Sequence, residues 1–312
     1  MFDAPHFHDE NEARKHLEAI RWPDGPICPH CGAIGEHYRL EGTGGAKGKK
    51  ARPGLLKCKD CREQFSVTVG TVFEHSKIPL TKWLLATHLM CSSKKGISSH
   101  QIHRTLGVTY KTAWFMTHRI REAMAPAKDA GPIGGPGKTV EADETYLAKS
   151  PKTRKPAGLP LNAKPAPQVF ALVERGGNLR SMHLDEKNVR EALFKHARED
   201  SRLVTDGSTT YKFQFANHEF VDHSKFEWAR GDVHTNTLEG YFSIFKRGLV
   251  GTYQHMDLKH LNRYLAEFDF RMNNRAKLGI TDVARTAIAL KGIEGKRLTY
   301  RRPDEACEVQ KA

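Results

Sequence analysis

Apolar residues recur at helical spacing in the first part of the chain and predict helices there. A short amphipathic helix within residues 1–25 is predicted from Ala13, Leu17, Ile20 and Trp22. A second helix, over residues 79–90, is predicted from Leu80, Trp83, Leu84, Leu85 and Leu89. Thr81 is a possible N-cap for this second helix.

Two further helices are predicted around a glycine turn. Ser98-Ser99-His100-Gln101 fits a capping box that starts the first of them, and Gly107 ends it. The second runs from about residue 109 to 124 and displays Tyr110, Lys111, Thr112, His118, Arg119 and Arg121. This arrangement is typical of a helix-turn-helix, whose second helix enters the major groove of DNA. Helix pairs around a glycine also occur in all-α domains without DNA, so both interpretations stay open.

Apolar and polar residues alternate in the second half of the chain, where strands are predicted. A linker rich in Gly and Pro, residues 127–138, precedes strands at 139–147, 169–174 and 179–184. The turn Gly176-Gly177-Asn178 makes the last two strands a hairpin. A helix at 188–199, a strand at 203–205 and helices at 237–246 and 260–273 complete the pattern.

Composition narrows the class of protein. The 312 residues are enough for two or three domains, and the net charge of +14 favours a polyanionic partner. Basic ribosomal and membrane-surface proteins carry similar charge, so charge alone does not identify nucleic acid. No apolar run is long enough to span a membrane, and the start of the chain does not resemble a secretion signal. We therefore expect a cytoplasmic protein.

Four of the six cysteines form two CxxC pairs, Cys28 with Cys31 and Cys58 with Cys61. Intracellular thiols stay reduced, and four thiolates in this spacing are typical of one tetrahedral zinc site, with Gly32 permitting the tight turn. Such a site has no open position, so the zinc is predicted to be structural. The basic loop between the pairs carries Lys47, Lys49, Lys50 and Arg52, which either contact DNA or are solvated.

Acidic residues occur where the predicted strands end or a helix begins. Strand alternation places Glu141 and Asp143 on one side, with Ala142 and Glu144 on the other. Asp206 ends a short apolar strand, and Glu239 begins a helix. Each acid also has an ordinary explanation, as a strand-edge charge, a turn residue and a helix N-terminal charge respectively.

Three such carboxylates can bind two magnesium ions for in-line attack on phosphorus. Lys246 lies seven residues after Glu239, two helical turns on and nearly on the same face, and Arg247 follows it. A cation there can contact a DNA phosphate, although isolated Lys and Arg residues are more often solvated surface charges.

The chain resembles the zinc-ribbon insertion-sequence transposases of bacteria, a DDE group, over almost its whole length. The segments that carry this resemblance are CPHC, CKDC, SKKGISSHQIHRTLGVTYKTAWFMTHRIREAM, VEADETY, VFALVERGG, LVTDGS, HTNTLEGYFSIFKRGLVGTYQHM and HLNRYLAEFDFRMNNR. The resemblance implies an α/β ribonuclease-H-like catalytic domain behind a zinc ribbon and a helix-turn-helix. One departure is the basic, Pro-rich stretch 147–167, interpreted as a long inter-strand loop that contacts DNA.

The resemblance also assigns the site. Asp143, Asp206 and Glu239 would hold two Mg²⁺ or Mn²⁺ ions, and Lys246 matches the family's basic residue. Some related transposases use an asparagine as third ligand, which makes Asn236 the competitor of Glu239. Only Glu239 has the expected spacing to Lys246. Asn236 is therefore interpreted as a helix cap that supports the metal site.

The predicted function is binding of the element's terminal inverted repeats, metal-dependent strand cleavage and strand transfer to target DNA, by a dimer or larger multimer located at the nucleoid. A DNA-binding regulator with an inactive nuclease-like domain and a metal-dependent nuclease or resolvase without joining activity remain alternatives. The domain layout follows as an N-terminal helix at 1–26, zinc ribbon at 27–76, helix-turn-helix region at 77–126, linker at 127–138, catalytic domain at 139–290 and basic tail at 291–312.

Overall fold

A computed structural model describes residues 2–35, 37–40, 53–127, 129–147, 167–184, 189–208, 211 and 215–299. Two compact units divide these residues, the first made of 2–125 with 276–299 and the second of 126–275. Three predictions lie wholly or mostly outside the described residues: the basic loop with Lys47, Lys49, Lys50 and Arg52, the DNA-contacting loop at 147–167, and the tail.

The first unit begins with helix α1, Glu10–Arg21, followed by a small antiparallel sheet of β1, Tyr38–Arg39, β2, Leu56–Lys57, and β3, Gln64–Phe65. Ala13 and Leu17 of α1 are fully buried, as the pattern predicts. Strand β3 ends at Phe65, because the backbone turns after this residue. In that turn Val69 N donates to Ser66 O at 3.0 Å.

Helix α2, Leu80–Ser92, starts without a cap from its own segment. Instead Glu10 of α1 accepts hydrogen bonds from Leu80 N at 2.9 Å and Thr81 N at 3.3 Å. The prediction of Thr81 as N-cap is therefore wrong, because a carboxylate distant in sequence satisfies the free amide groups.

Helices α3, Ser99–Leu106, and α4, Tyr110–Met124, form the predicted pair. Ser98 Oγ caps α3 by accepting from Gln101 N at 3.2 Å. Gly107 ends it with φ 59°, a left-handed conformation that glycine adopts without steric cost. Thr109 Oγ1 then caps α4 by accepting from Thr112 N at 3.2 Å.

The second unit contains a mixed five-stranded sheet. Its strands are β4, Thr139–Tyr146, β5, Gln168–Glu174, β6, Leu179–Leu184, β7, Arg202–Asp206, and β8, His218–Val221, in the order β6-β5-β4-β7-β8. The first three form an antiparallel meander, whereas β7 and β8 run parallel to β4. The predicted α/β class and four of the strands are confirmed. Strand β8 was not predicted, because its sequence HEFV has no alternation of apolar and polar residues.

Helices cover both faces of this sheet. Helix α5, Val189–His196, packs on one face, and helices α6, Asn236–Gly248, and α7, Leu258–Asn273, pack on the other. Strand β5 is buried on both faces, which explains its continuous apolar run: Phe170 and Leu172 face α5, while Val169, Ala171 and Val173 face α6 and α7.

Two boundaries differ from the predictions. Part of the predicted linker belongs to the second unit, because Ile133 is buried and its N–H donates to His196 O at 2.9 Å. The second unit also ends at residue 275, so the last part of 139–290 lies elsewhere. Helix α8, Asp282–Lys291, packs on α1, α2 and α4 in the first unit. In the described ranges, no helix has both the length and the apolar character required to cross a bilayer.

Candidate functional site

The four cysteine sulfurs of the CxxC pairs converge in the first unit. Cys28 Sγ lies 3.7 Å from Cys61 Sγ, and Cys31 Sγ lies 3.7 Å from Cys58 Sγ. All four sulfurs lie within 4.8 Å of one another. A zinc ion with bonds of about 2.3 Å to four thiolates requires sulfur separations of about 3.8 Å. The thiols therefore fit a tetrahedral structural zinc, as their spacing predicts.

Backbone turns fix the direction of these sulfurs. Gly32 follows the first pair with φ 75°, and its N–H donates to Cys28 O at 2.9 Å. Arg62 adopts the corresponding left-handed conformation after the second pair, with φ 64°. With four protein ligands the shell is closed, so this metal supports the fold and activates no water.

Asp143 and Asp206 lie on neighbouring parallel strands of the second unit. The ladder of β4 and β7 pairs Val140 with Leu203 and Glu141 with Val204. The same register, continued by two residues, brings Asp143 alongside Asp206. Strand alternation then places both carboxylates on the sheet face that α6 covers.

Acidic residues close to Asp143 influence one another's pKa values. Burial raises the pKa of Asp143 to about 7, and the charges of Asp206, Glu144 and Glu239 act in the same direction. Burial also raises the pKa of Glu144 to about 7, again with a contribution from Asp206. Glu144 lies on the opposite face of β4, and it was not predicted as a site residue. Acids this close repel one another unless a cation or a proton is present.

Glu239 and Lys246 occupy the exposed side of α6. Glu239 lies in the first turn of the helix, where its Oε1 accepts from Thr235 Oγ1 at 3.4 Å. Lys246 lies two turns further on, and the neighbouring Arg247 is also exposed, with Nε donating to Ser243 O at 3.1 Å.

Asn236 is the first residue of α6, and the cap position is Thr235. The prediction of Asn236 as the helix cap is therefore wrong. The free amide groups of the first turn bind Glu141 instead, since Thr237 N and Leu238 N donate to its Oε2 at 3.0 and 3.3 Å. Glu141 was predicted to share a face with Asp143, but this contact is not encoded in any local pattern.

The three predicted acids are less tightly gathered than the cysteines. Among the described residues, only the cysteine cluster brings three or more His, Cys, Asp or Glu ligand atoms within 4.8 Å of one another. The acids share an electrostatic neighbourhood centred on Asp143, because its pKa responds to both Asp206 and Glu239.

The predicted DNA-contacting face of α4 needs correction. Tyr110 and Lys111 in its first turn are exposed, Thr112 is half-buried, and the Tyr110 ring stacks on His100 with centroids 4.2 Å apart. His118, Arg119 and Arg121 are buried in the first unit.

Packing explains why these three residues cannot reach DNA. Arg119 donates to Leu298 O and Glu74 O at 3.1 Å each, and Arg121 donates to Thr117 Oγ1 at 3.2 Å. His118 lies against Trp114, with ring centroids 4.2 Å apart. The prediction of His118, Arg119 and Arg121 as DNA contacts is wrong, because the second half of α4 is part of the core.

Two regions of the chain match known protein domains. Residues 134–273 match the ISXO2-like transposase domain, and residues 8–64 match the transposase zinc-ribbon domain. A relative from Halobacterium salinarum, described as an uncharacterized protein in transposable element ISH50, is 29% identical over 290 residues. That alignment covers 87% of this chain and 93% of the relative. The chain therefore carries a transposase zinc-ribbon domain followed by an ISXO2-like transposase domain.

Proposed function

We propose that this transposase cleaves DNA at the ends of its element and joins the freed ends to target DNA, using two Mg²⁺ or Mn²⁺ ions held by Asp143, Asp206 and Glu239. The observation that carries the proposal is the parallel register of β4 and β7, which brings Asp143 alongside Asp206. Glu239 completes the set from the first turn of α6.

The donor set fits the proposed ions. Carboxylate oxygens are hard ligands of the kind that Mg²⁺ and Mn²⁺ prefer. Two ions about 3.5–4 Å apart need one bridging acid, while acids on different ions can lie further apart than those around a single ion. Asp143 suits the bridging position, because the charges of both other acids act on it. The looser spacing of this group is consistent with a two-ion site.

The sheet supports a ribonuclease-H-like catalytic domain. Counted from β4, the first three strands form an antiparallel meander, and the next two add in parallel on the other side of the first. Parallel neighbours place their carboxyl ends at one edge, where open α/β sheets carry out their chemistry. Asp143 lies in the second half of β4, and Asp206 ends β7.

The three carboxylates and Lys246 would have different roles in phosphoryl transfer. Bound divalent ions would stabilise the attacking and leaving oxygens of an in-line displacement. The three carboxylates would hold these ions, and Lys246, which is exposed on α6 like Glu239, would bind a DNA phosphate. Hydrolysis of one phosphodiester frees a 3′-hydroxyl, which the same site directs at target DNA.

We also propose that the helix pair α3–α4 contacts the terminal repeats through its exposed residues. Tyr110 and Lys111 belong to the first turn of α4, the part of a recognition helix that meets base edges. Thr112 is half-buried beside them. The net charge of +14 supports a polyanionic partner for this surface and for Lys246 and Arg247.

The test compares Asp206→Asn with Asp200→Asn in strand cleavage and strand transfer on DNA carrying the terminal repeats. Asp200 is a matched control, because it is an exposed aspartate of the same unit paired with Arg198. Asp206→Asn should bind DNA normally and lose both reactions, while Asp200→Asn keeps both. Wild-type cleavage by Asp206→Asn would refute the proposal. Cleavage without transfer by the wild-type protein would identify a nuclease instead.

A further inference from the structure

Glu141 is a fully buried carboxylate with four hydrogen bonds. Its Oε2 accepts from Thr237 N at 3.0 Å and Leu238 N at 3.3 Å, both in the first turn of α6. Its Oε1 accepts from Thr237 Oγ1 at 2.9 Å and from Arg175 Nε at 2.8 Å. A buried charge is tolerated only when it is paired and hydrogen-bonded in this way.

Arg175 extends these bonds to the segment that leads into α6. Its Nη1 donates to Asp232 O at 2.6 Å, and its Nη2 donates to His234 O at 2.8 Å. The His234 ring also lies close, with Nδ1 3.3 Å from the same Nη2. One planar guanidinium therefore binds Glu141 and two carbonyl groups at once, which fixes the path of the chain into the helix.

The hydrogen bonds of Glu141 connect two segments, and each of these segments carries one acid of the proposed metal site. Glu141 lies on β4 two residues before Asp143, on the same face of the strand. Thr237 and Leu238 immediately precede Glu239. The side chain of Glu141 thus joins the strand that carries one acid to the helical turn that carries another.

Because Glu141 binds the free amide groups of α6, the Glu239 carboxylate is not needed to cap the helix. An acid in the first turn of a helix often folds back to satisfy the free amide groups there. In α6 those groups already bind Glu141, and Thr235 provides no side-chain cap. The Glu239 carboxylate stays on the exposed side of the helix, where its one described partner is Thr235 Oγ1.

We propose that Glu141 and Arg175 are positioning residues that hold Glu239 at the correct distance from Asp143 for binding the second divalent ion. This inference rests on the proposed function, and it assigns to Glu141 no contact with DNA or metal. Groups that orient metal ligands from outside typically change metal affinity by about 10–100-fold when they are removed.

The experiment measures Mn²⁺ binding to the full-length, zinc-loaded protein by electron paramagnetic resonance, in the absence of DNA. Glu141→Gln retains the size of the side chain but loses an acceptor for Arg175. Glu267→Gln is the matched control, since Glu267 is equally buried, pairs with Arg271 and accepts from Tyr253 Oη at 2.6 Å. Both substitutions remove the charge of a fully buried glutamate that pairs with an arginine in the same unit, but only Glu141 contacts the first turn of α6.

We expect Glu141→Gln to weaken binding of one Mn²⁺ ion by about tenfold or more, with Glu267→Gln within about twofold of wild type. In cleavage assays, Glu141→Gln should raise the Mn²⁺ concentration for half-maximal rate, and saturating Mn²⁺ should restore most of the rate. Equal Mn²⁺ affinity in wild type and Glu141→Gln would overturn the inference, as would equal weakening by both variants.

If Glu141→Gln does not fold, the Arg175→Lys variant tests the same positioning role. Lysine keeps the charge but cannot make the three directed bonds of Arg175, so Mn²⁺ affinity should again fall, and unchanged affinity would overturn the inference. Failure of the proposed function gives a different result. If wild type binds no more Mn²⁺ than Asp206→Asn, the carboxylate site itself is wrong, whereas normal wild-type binding with no effect of Glu141→Gln removes only the positioning role.

Discussion

Asp143 and Asp206 lie on the parallel neighbouring strands β4 and β7, each two residues beyond the paired positions Glu141 and Val204. Sixty-odd residues separate the two acids in sequence, and a crossover through α5 brings their strands together. The charge of Asp206 contributes to the raised pKa of Asp143, as expected for neighbouring carboxylates.

Glu239 and Asn236 compete for the third ligand position, and both are exposed on α6. We expect Glu239→Gln to lower strand cleavage by about a hundredfold or more, because a metal ligand supplies several kcal/mol of transition-state stabilisation. Asn236→Ala should retain most of the activity. Single-turnover cleavage of a labelled element end measures both variants. The reverse order of effects would identify Asn236 as the ligand.

Lys111 and Arg121 lie on the same helix, but substitution of Lys111 should affect DNA binding and substitution of Arg121 should affect stability. Lys111→Ala should weaken DNA binding and reduce the slope of log K against log salt by about one, with no loss of stability. Arg121→Ala should lower the free energy of unfolding by roughly 2 kcal/mol, because it removes a charged hydrogen bond inside the core.

Fluorescence anisotropy over a range of salt concentrations and urea denaturation measure these two effects. If the Arg121→Ala variant is as stable as wild type but binds DNA more weakly, Arg121 contacts DNA and is not a core residue.

Zinc should be bound by the ribbon alone at one ion per chain. Cys58→Ser should lose zinc and lower the melting temperature, because the ribbon is too small to fold well without its metal. Cys91→Ser is the control, since Cys91 is buried in α2 of the same unit and lies outside the cluster. Metal content by mass spectrometry after dialysis tests this. Zinc retained by Cys58→Ser at full occupancy would contradict the assignment.

Ionisation of Asp269 should lower the free energy of unfolding of the second unit as the pH rises. Burial raises the pKa of Asp269 to about 7, although Tyr241 and Ser181 donate hydrogen bonds to it and Arg180 acts against the shift. A carboxyl whose pKa is higher in the folded than in the unfolded chain favours folding when protonated. Its contribution is fully present below the unfolded value near 4 and is lost as the pH rises to about 7.

The substitution Asp269→Asn isolates this effect from other titrating groups. The free energy of unfolding of wild type minus that of Asp269→Asn should fall by up to about 1.4 kcal/mol per pH unit between pH 5 and 7, and it should level off above pH 7. Urea denaturation across this range measures it. A difference independent of pH would mean that Asp269 is already ionised at pH 5.

Local patterns were sufficient for much of this protein. The CxxC spacing predicted the zinc site, and period-two alternation predicted β4 together with the shared face of Glu141 and Asp143. The Gly107 turn and the Ser98 cap were also visible in sequence, because the backbone conformation of these positions depends on the residue itself.

Contacts between distant segments could not be predicted in this way. Glu10 caps α2 and Glu141 caps α6, although each carboxylate lies far from the helix it caps in sequence. The burial of Arg119 and Arg121 depends on which elements pack against α4, and a single helical pattern contains no information about its partners. The attachment of α8 to the first unit is a further example.

The most direct test of the carboxylate site is an anomalous-scattering map of the Mn²⁺-loaded transposase bound to an element end. We expect two manganese peaks about 3.5–4 Å apart, with Asp143 contacting both and Asp206 and Glu239 contacting one each. Manganese peaks that lie out of coordinating reach of Asp143 would contradict it.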